Sequence, residues 1–385
     1  MSCQSTVLTP RQVYKGAKPI ILSKLVTEPS HSILTQSYDS RLRLDRRRPV
    51  NGDGFGVGWY TDPSLGPDPC IFTSTLPAWN CVNLERIAPK TCSRLIFAHV
   101  RATTEGSLAE SNCHPFQHNT LMWMHNGNVG CWKYVKRPLA DSLPDKWYLG
   151  VRGGTDSEWA FALFLHMLEN EGVDPSSEPE GGFGQKVLRR AMKKTIAKIN
   201  EFVKSVPAEY DLEQAETRSL LNFAVTDGHT VIVTRYVSSK SDAAASLYYS
   251  SGTDWVEGKT KGHFKMERRD KASDVVLVAS EPLTFERHNW LSVPTNTIVT
   301  ICDQRVFVRP IKDEFHDPDP SAQRDSSFAQ SKGLVTKAPG GGIATPGKEI
   351  TPAVTPVPNP ASNGIPKEGF EELNRKVARL QLAQS

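Results

Sequence analysis

The sequence has no run near the roughly 18 to 20 consecutive apolar residues that span a bilayer, and its first residues lack the apolar core of a secretory signal. A soluble chain that engages no membrane is expected. No CxxC pair occurs among its seven cysteines (Cys3, Cys70, Cys81, Cys92, Cys113, Cys131, Cys302). In a chain of 385 residues that argues against a disulfide-stapled secreted domain and for a reduced, cytoplasmic protein. Charge of one sign is also scarce: 46 Lys+Arg against 42 Asp+Glu leave +4, too little to make nucleic acid the expected partner. No internal repeat at solenoid periods is visible. Acidic residues are missing from the first 27 positions, which carry Arg11, Lys15 and Lys18, a composition shared with mitochondrial transit peptides.

With 38% hydrophobic residues the chain can bury a sizeable core. Short β-rich runs at 95–100, 121–124, 221–225, 230–236, 275–279, 297–301 and 306–308 predict strands, and Asp227-Gly228-His229 predicts a tight hairpin turn. Thr155-Asp156-Ser157-Glu158 has capping-box spacing and opens a helix with Phe161, Phe164, Leu165 and Leu168 on one face and Gly172 as a stop. A second helix is expected over 186–203, with Leu188, Met192, Ile196 and Ile199 on one side. Successive strands with interspersed helices argue for an α+β fold and against a doubly wound parallel sheet. Residues 316–366 hold nine of the 27 prolines, a triple glycine and one aromatic, Phe328, and read as a disordered Pro/Gly/Ser-rich linker. Beyond it, Phe370, Leu373, Val377 and Leu380 have the spacing of a short amphipathic helix over 367–385.

Four polar clusters could carry chemistry. Asn51-Gly52-Asp53-Gly54-Phe55-Gly56-Val57-Gly58-Trp59 has the alternating glycines of a close-approach loop leading into a strand, yet no Gly-Lys-Ser/Thr follows, which excludes a phosphate loop. His99-Val100-Arg101-Ala102-Thr103-Thr104 ends an apolar run and offers an arginine fork suited to a carboxylate. In His125-Asn126-Gly127-Asn128 a side-chain amide beside a glycine N–H can form an oxyanion hole, or the segment is a plain Asn-Gly turn. Asp156 can bind an ammonium or cap its helix. Together these groups suit an α-amino acid head group undergoing acyl transfer.

The order of these elements resembles the class II glutamine amidotransferases, which are N-terminal nucleophile hydrolases, and most closely the Dug-type amidotransferase subunit of fungal glutathione-degradation complexes. The stretches that carry the resemblance are His31-Ser32-Ile33 through Pro49, residues 51–57, Asn112-Cys113-His114-Pro115-Phe116, residues 221–228 and Ala279-Ser280-Glu281-Pro282-Leu283-Thr284-Phe285-Glu286-Arg287. They span about 13–315, the expected amidotransferase domain, with 1–12 as an atypical leading segment. The resemblance implies a four-layer αββα sandwich of two antiparallel sheets. It also implies that Arg101 binds the substrate α-carboxylate, Asp156 its α-ammonium, that Asn126 and Gly127 hold the oxyanion, and that Thr104 shapes the substrate end. A γ-glutamyl substrate, glutathione or glutamine, and a metallopeptidase-like partner subunit follow from it, with no cofactor and no metal. A zinc set of His99, Cys113, His114 and His125 lacks standard ligand spacing.

The family's nucleophile is an N-terminal cysteine followed by Arg and an apolar strand, because the free α-amine there can accept and return the proton. Cys3 is the nearest candidate, but the family's spacing from Tyr14-Lys15-Gly16 places that position at Thr9. An alternative first exon is the favoured reading, ahead of further processing that exposes Cys3 and of a true loss of the nucleophile. That loss would leave a non-catalytic γ-glutamyl-binding or scaffold subunit. Cys113 beside His114 is a further pair, although adjacent strand residues face opposite ways.

Overall fold

The computed structural model describes residues 10–39, 51–102, 108–210, 212–213, 215–269, 273–319 and 323–336. The strands are β1 (Arg11–Ile21), β2 (Phe55–Tyr60), β3 (Pro69–Ser74), β4 (Cys92–Val100), β5 (Phe116–His118), β6 (Leu121–Asn128), β7 (Leu220–Thr226) and β8 (Val231–Arg235). They continue with β9 (Tyr248–Gly252), β10 (Asp254–Glu257), β11 (Phe264–Glu267), β12 (Val275–Ala279), β13 (Leu291–Ser292), β14 (Thr297–Cys302) and β15 (Arg305–Pro310). A seven-stranded sheet has the order β13-β9-β12-β1-β4-β2-β3, and a six-stranded sheet the order β15-β14-β8-β7-β6-β5. Every pairing in both is antiparallel.

Period-two alternation sorts the side chains into layers. Val13, Leu95 and Phe97 from the first sheet meet Met122, Met124, Ala224 and Val233 from the second, which closes the space between the sheets. The opposite face of the second sheet, with Trp123, Phe223, Val225 and Ile232, is covered by α1 (Trp132–Asp141), α2 (Asp156–Glu169) and α3 (Gln185–Lys204). The outer face of the first sheet, with Tyr14, Ile96, Ala98 and Leu277, packs under short helices at Ser23–Val26, Ile33–Tyr38 and Val82–Ile87 and under the β10–β11 hairpin. The result is the expected α+β, αββα order.

Two local expectations change. The capping box does not form: the Thr155 side chain makes no cap bond, and the Glu158 carboxylate instead accepts the N–H groups of Arg152 (2.9 Å) and Gly153 (2.5 Å). The helix still starts at Asp156, because its apolar face and not its cap holds it. The segment assigned to a linker from 316 onward is folded over 323–336. There Phe328 of α4 (Ser327–Ser331) and Leu334 bury against Leu220, Val237, Ala244 and Ala245. Ala243 N–H donates to the Asp325 carbonyl (2.7 Å) and Ser246 N–H to the Leu334 carbonyl (2.9 Å). Average composition hid two apolar side chains that fit an existing patch. The linker from 337 and the amphipathic pattern at 367–385 lie outside the described residues.

Candidate active site

The predicted groups collect where β1 begins and β4 ends, facing the end of β6. Pro10 accepts the N–H of Val100 (2.9 Å), and the Arg101 N–H donates to the Gly54 carbonyl (2.8 Å), so Pro10, just before β1, lies against the start of the Arg101 turn. Arg101 is buried, and burial lowers its pKa while Cys113 and Asp53 oppose that shift. The alternating glycines explain themselves here. A Cβ at Gly54 would stand 2.9 Å from Cys113 Sγ, and one at Gly56 would stand 2.1 Å from the His114 carbonyl oxygen. The glycines allow the segment around 113 to lie directly on β2.

On β6, Asn126 is buried opposite Asn222, and Gly127 has φ +144°, with a would-be Cβ 1.9 Å from the Leu220 carbonyl oxygen. No side chain fits at 127. Asp156 does not cap its own helix. Its Oδ2 accepts the N–H of Val129 (2.8 Å), just past β6, and its Oδ1 accepts from Ser157 Oγ (3.2 Å). Ser157 Oγ lies 2.9 Å from His125 Nδ1, and His125 Nε2 donates to the Leu220 carbonyl (3.0 Å). Burial holds His125 below its ordinary pKa, with Asp156 opposing; the Leu220 carbonyl, which can only accept, fixes a proton on Nε2, and the single Ser157 hydroxyl proton lies between Nδ1 and Asp156 Oδ1. Thus His125 and Ser157 tie Asp156 to the oxyanion strand. Sequence reasoning did not single out Ser157; its place beside Asp156 on the first turn of the helix was the available signal.

Cys3 and Thr104 lie outside the described residues. Cys113 is a poor nucleophile candidate, because burial pushes its thiol up to about 11 with Arg101 opposing, and its Sγ donates to the carbonyls of Ser74 (3.6 Å) and Ala109 (3.8 Å). Two β1 residues break the apolar pattern. Arg11 is fully buried, gives Nη1 to the Asn222 carbonyl, leaves Nη2 unpaired and meets no carboxylate among the described residues; burial lowers its pKa to about 9. Gln12 is buried with both amide atoms unpaired. The His99 and His114 rings sit 4.2 Å apart, yet among the described residues no three His, Cys, Asp or Glu side chains form a group that could hold a metal.

His99 and His114 carry a pH signature. Burial first, then neighbouring Arg11, His125 and Arg101, holds His99 down to about 3, and burial with His99 beside it holds His114 well below the ordinary value. The unfolded chain takes up protons near pH 6.5 that the folded chain refuses, so their contribution is complete above that pH and falls away as pH drops toward 3. Urea unfolding at pH 7.5 and 5.5 should show a loss of about 3 kcal/mol from this pair, at about 1.4 kcal/mol per unit for each ring. An unchanged stability over that interval would mean that the rings charge freely in the fold.

Comparison with known proteins fits this geometry. The family described as "Glutamine amidotransferases class-II" matches residues 27–205. The chain is 51% identical over 329 residues to "Probable glutamine amidotransferase DUG3" of Saccharomyces cerevisiae, covering 85% of this chain and 91% of that protein. It is 22% identical over 294 residues to "Gamma-glutamyl-hercynylcysteine sulfoxide hydrolase" of Mycolicibacterium smegmatis, covering 76% and 96%. Among solved structures, a glutamine aminotransferase class-II domain protein from Silicibacter pomeroyi superposes with a TM-score of 0.50 at 23% identity, over 79% of this chain and all (100%) of that one. The 51% identity over most of both chains shows the family, and the two-sheet fold agrees with it: the chain belongs to the class II glutamine amidotransferases.

Proposed function

We propose that the protein hydrolyses a γ-glutamyl amide, that of glutathione, as a subunit acting with a metallopeptidase-like partner in the cytoplasm. The observation that carries the reading is the Gly127 backbone, held open by Leu220 beside buried Asn126 and next to an Asp156 whose carboxylate is fixed by Val129 and Ser157. Arg101 takes the α-carboxylate and Asp156 the α-ammonium, leaving the γ-carbonyl to point at the Asn126 amide and the Gly127 N–H. A nucleophile preceding Pro10 adds to the carbonyl carbon, and the oxyanion forms against those donors. The C–N bond then breaks as the leaving amine takes the proton, and water releases glutamate from the acyl-enzyme. The choice of glutathione rests on the resemblance to Dug-type subunits, with which the name of the Saccharomyces relative is consistent, and the γ-glutamyl class on the name of the Mycolicibacterium relative. The lack of a usable thiol at the site among the described residues favours a second reading, a γ-glutamyl-binding subunit without turnover.

Calorimetry with glutamate and glutathione tests the pocket independently of the nucleophile. Both should bind the full chain, and Arg101→Ala should weaken them roughly tenfold to a hundredfold, the loss of a charged hydrogen-bond partner. Equal affinity in the variant would remove Arg101 from the carboxylate site. Glutamate release from glutathione by the full chain would decide against the binding-only reading.

A further inference from the structure

Along β1, residues Arg11, Val13 and Lys15 share one face, and Val13 places that face between the two sheets. Arg11 lies at the catalytic end; Lys15, about 13 Å further along the strand, lies at the other. There it lines a cleft of about 910 Å³, bordered also by Tyr60, Arg94, Asp227, His229 and Gln304. Lys15 is only 8% exposed, and among the described residues it has no hydrogen bond and no ion pair. The buried acid in the cleft is committed elsewhere: Asp227 Oδ1 accepts the N–H groups of His229 (3.0 Å) and Thr230 (2.7 Å), and Oδ2 that of Phe183 (2.8 Å). Tyr60 gives its hydroxyl proton to the Thr120 carbonyl. Burial lowers the Lys15 pKa, with Asp227, Cys302 and Asp303 opposing it, which is the sign of an ammonium with too little direct compensation. A buried cation with three donors and no acceptor is costly unless an anion completes it.

We propose that this cleft is a second ligand site, separate from the γ-glutamyl pocket, in which Lys15 binds the oxyanion, carboxylate or phosphate, of a small polar molecule. Exposed Arg94 at the rim adds positive potential and the Gln304 amide adds donors. Asp62 and Glu178 also line the cleft and disfavour a polyanion, so the site selects small ligands over nucleic acid.

The test is the rate at which acetic anhydride acylates Lys15 in the full chain, read by peptide mass, with sodium glutarate, sodium phosphate or sodium chloride at equal ionic strength. Glutarate or phosphate should protect Lys15 at least tenfold in a saturable way, while chloride and the exposed lysines show no such change. Protection by glutarate alone assigns a carboxylate ligand, and by phosphate alone a phosphoryl ligand. Arg101→Ala should leave the protection intact, which separates this site from the catalytic pocket. Lys15→Met should lose the saturable rise in Tm that the protecting anion gives the wild type. Protection no greater than with chloride, or a Tm rise retained in Lys15→Met, overturns the proposal. If Lys15→Met does not fold, the wild-type labelling alone decides.

Discussion

Glutamate release should appear when residues 1–9 are replaced by an initiator Met and a cysteine in the place of Thr9, and should be lower by roughly four to six orders of magnitude with threonine kept there, the scale on which loss of a nucleophile acts. Residue 9 immediately precedes Pro10 in the chain, and the Pro10 carbonyl accepts the N–H of Val100 next to Arg101, which is the reason for choosing that position. The free α-amine is needed because the nearby imidazoles are poor bases: His99 is held down to about 3, and His114 is also strongly depressed. Arg11 and Gln12 reinforce the argument. The family pattern calls for an apolar strand where this chain buries an uncompensated guanidinium and an unpaired amide. Arg11→Leu with Gln12→Leu, made in the same variant, should therefore raise its stability. Glutathione with the purified variant, alone and with the proposed metallopeptidase-like subunit, is the assay, with released glutamate as the readout. A folded variant that binds glutamate and releases none from glutathione or glutamine would establish the non-catalytic reading.

The sequence made some parts of this molecule legible and concealed others for identifiable reasons. The run at 275–279 matches β12, and the pattern at 186–203 matches α3 to within one residue at each end, because both elements are held by one strong apolar periodicity. β1 was missed as a strand: Arg11, Lys15 and Lys18 interrupt its pattern, and its pairing with β4 and β12 depends on residues far away in the chain. The Tyr248–Gly252 strand was likewise hidden, since polar Ser250 and Ser251 disguise a strand held between β12 and β13. At the site, Arg101, Asn126, Gly127 and Asp156 were readable as residue types. What each does locally was not. Asp156 could be a helix cap until the Val129 amide was found on its carboxylate, while Cys113, already discounted as the partner of His114, is a packed thiol. Lys15 shows the same limit: a lysine in a polar stretch reads as solvated, and only the stacking of two sheets makes it a buried cation.

Gly127→Ala should cost roughly a hundredfold to a thousandfold in kcat, the usual effect of removing one oxyanion donor, with KM little changed because Arg101 and Asp156 stay in place. The reason is steric before it is electronic. Any Cβ at 127 would stand 1.9 Å from the Leu220 carbonyl oxygen, and at φ +144° the alanine itself is strained. Leu220 cannot simply retreat. Its carbonyl accepts from His125 Nε2 at 3.0 Å, and its side chain is packed beneath Phe328 and Leu334. The strand must shift instead, carrying the 127 N–H away from the oxyanion and disturbing the His125–Ser157–Asp156 chain. Gly154→Ala is the matched control, since a Cβ there meets nothing within 4 Å and activity should be unchanged. Measured in the cysteine-bearing variant, a Gly127→Ala protein that melts earlier but keeps its kcat per folded molecule would show that the 127 N–H is not an oxyanion donor. A fall in kcat at constant KM would place it in the transition state, because a donor that contributed only to ground-state binding would raise KM instead.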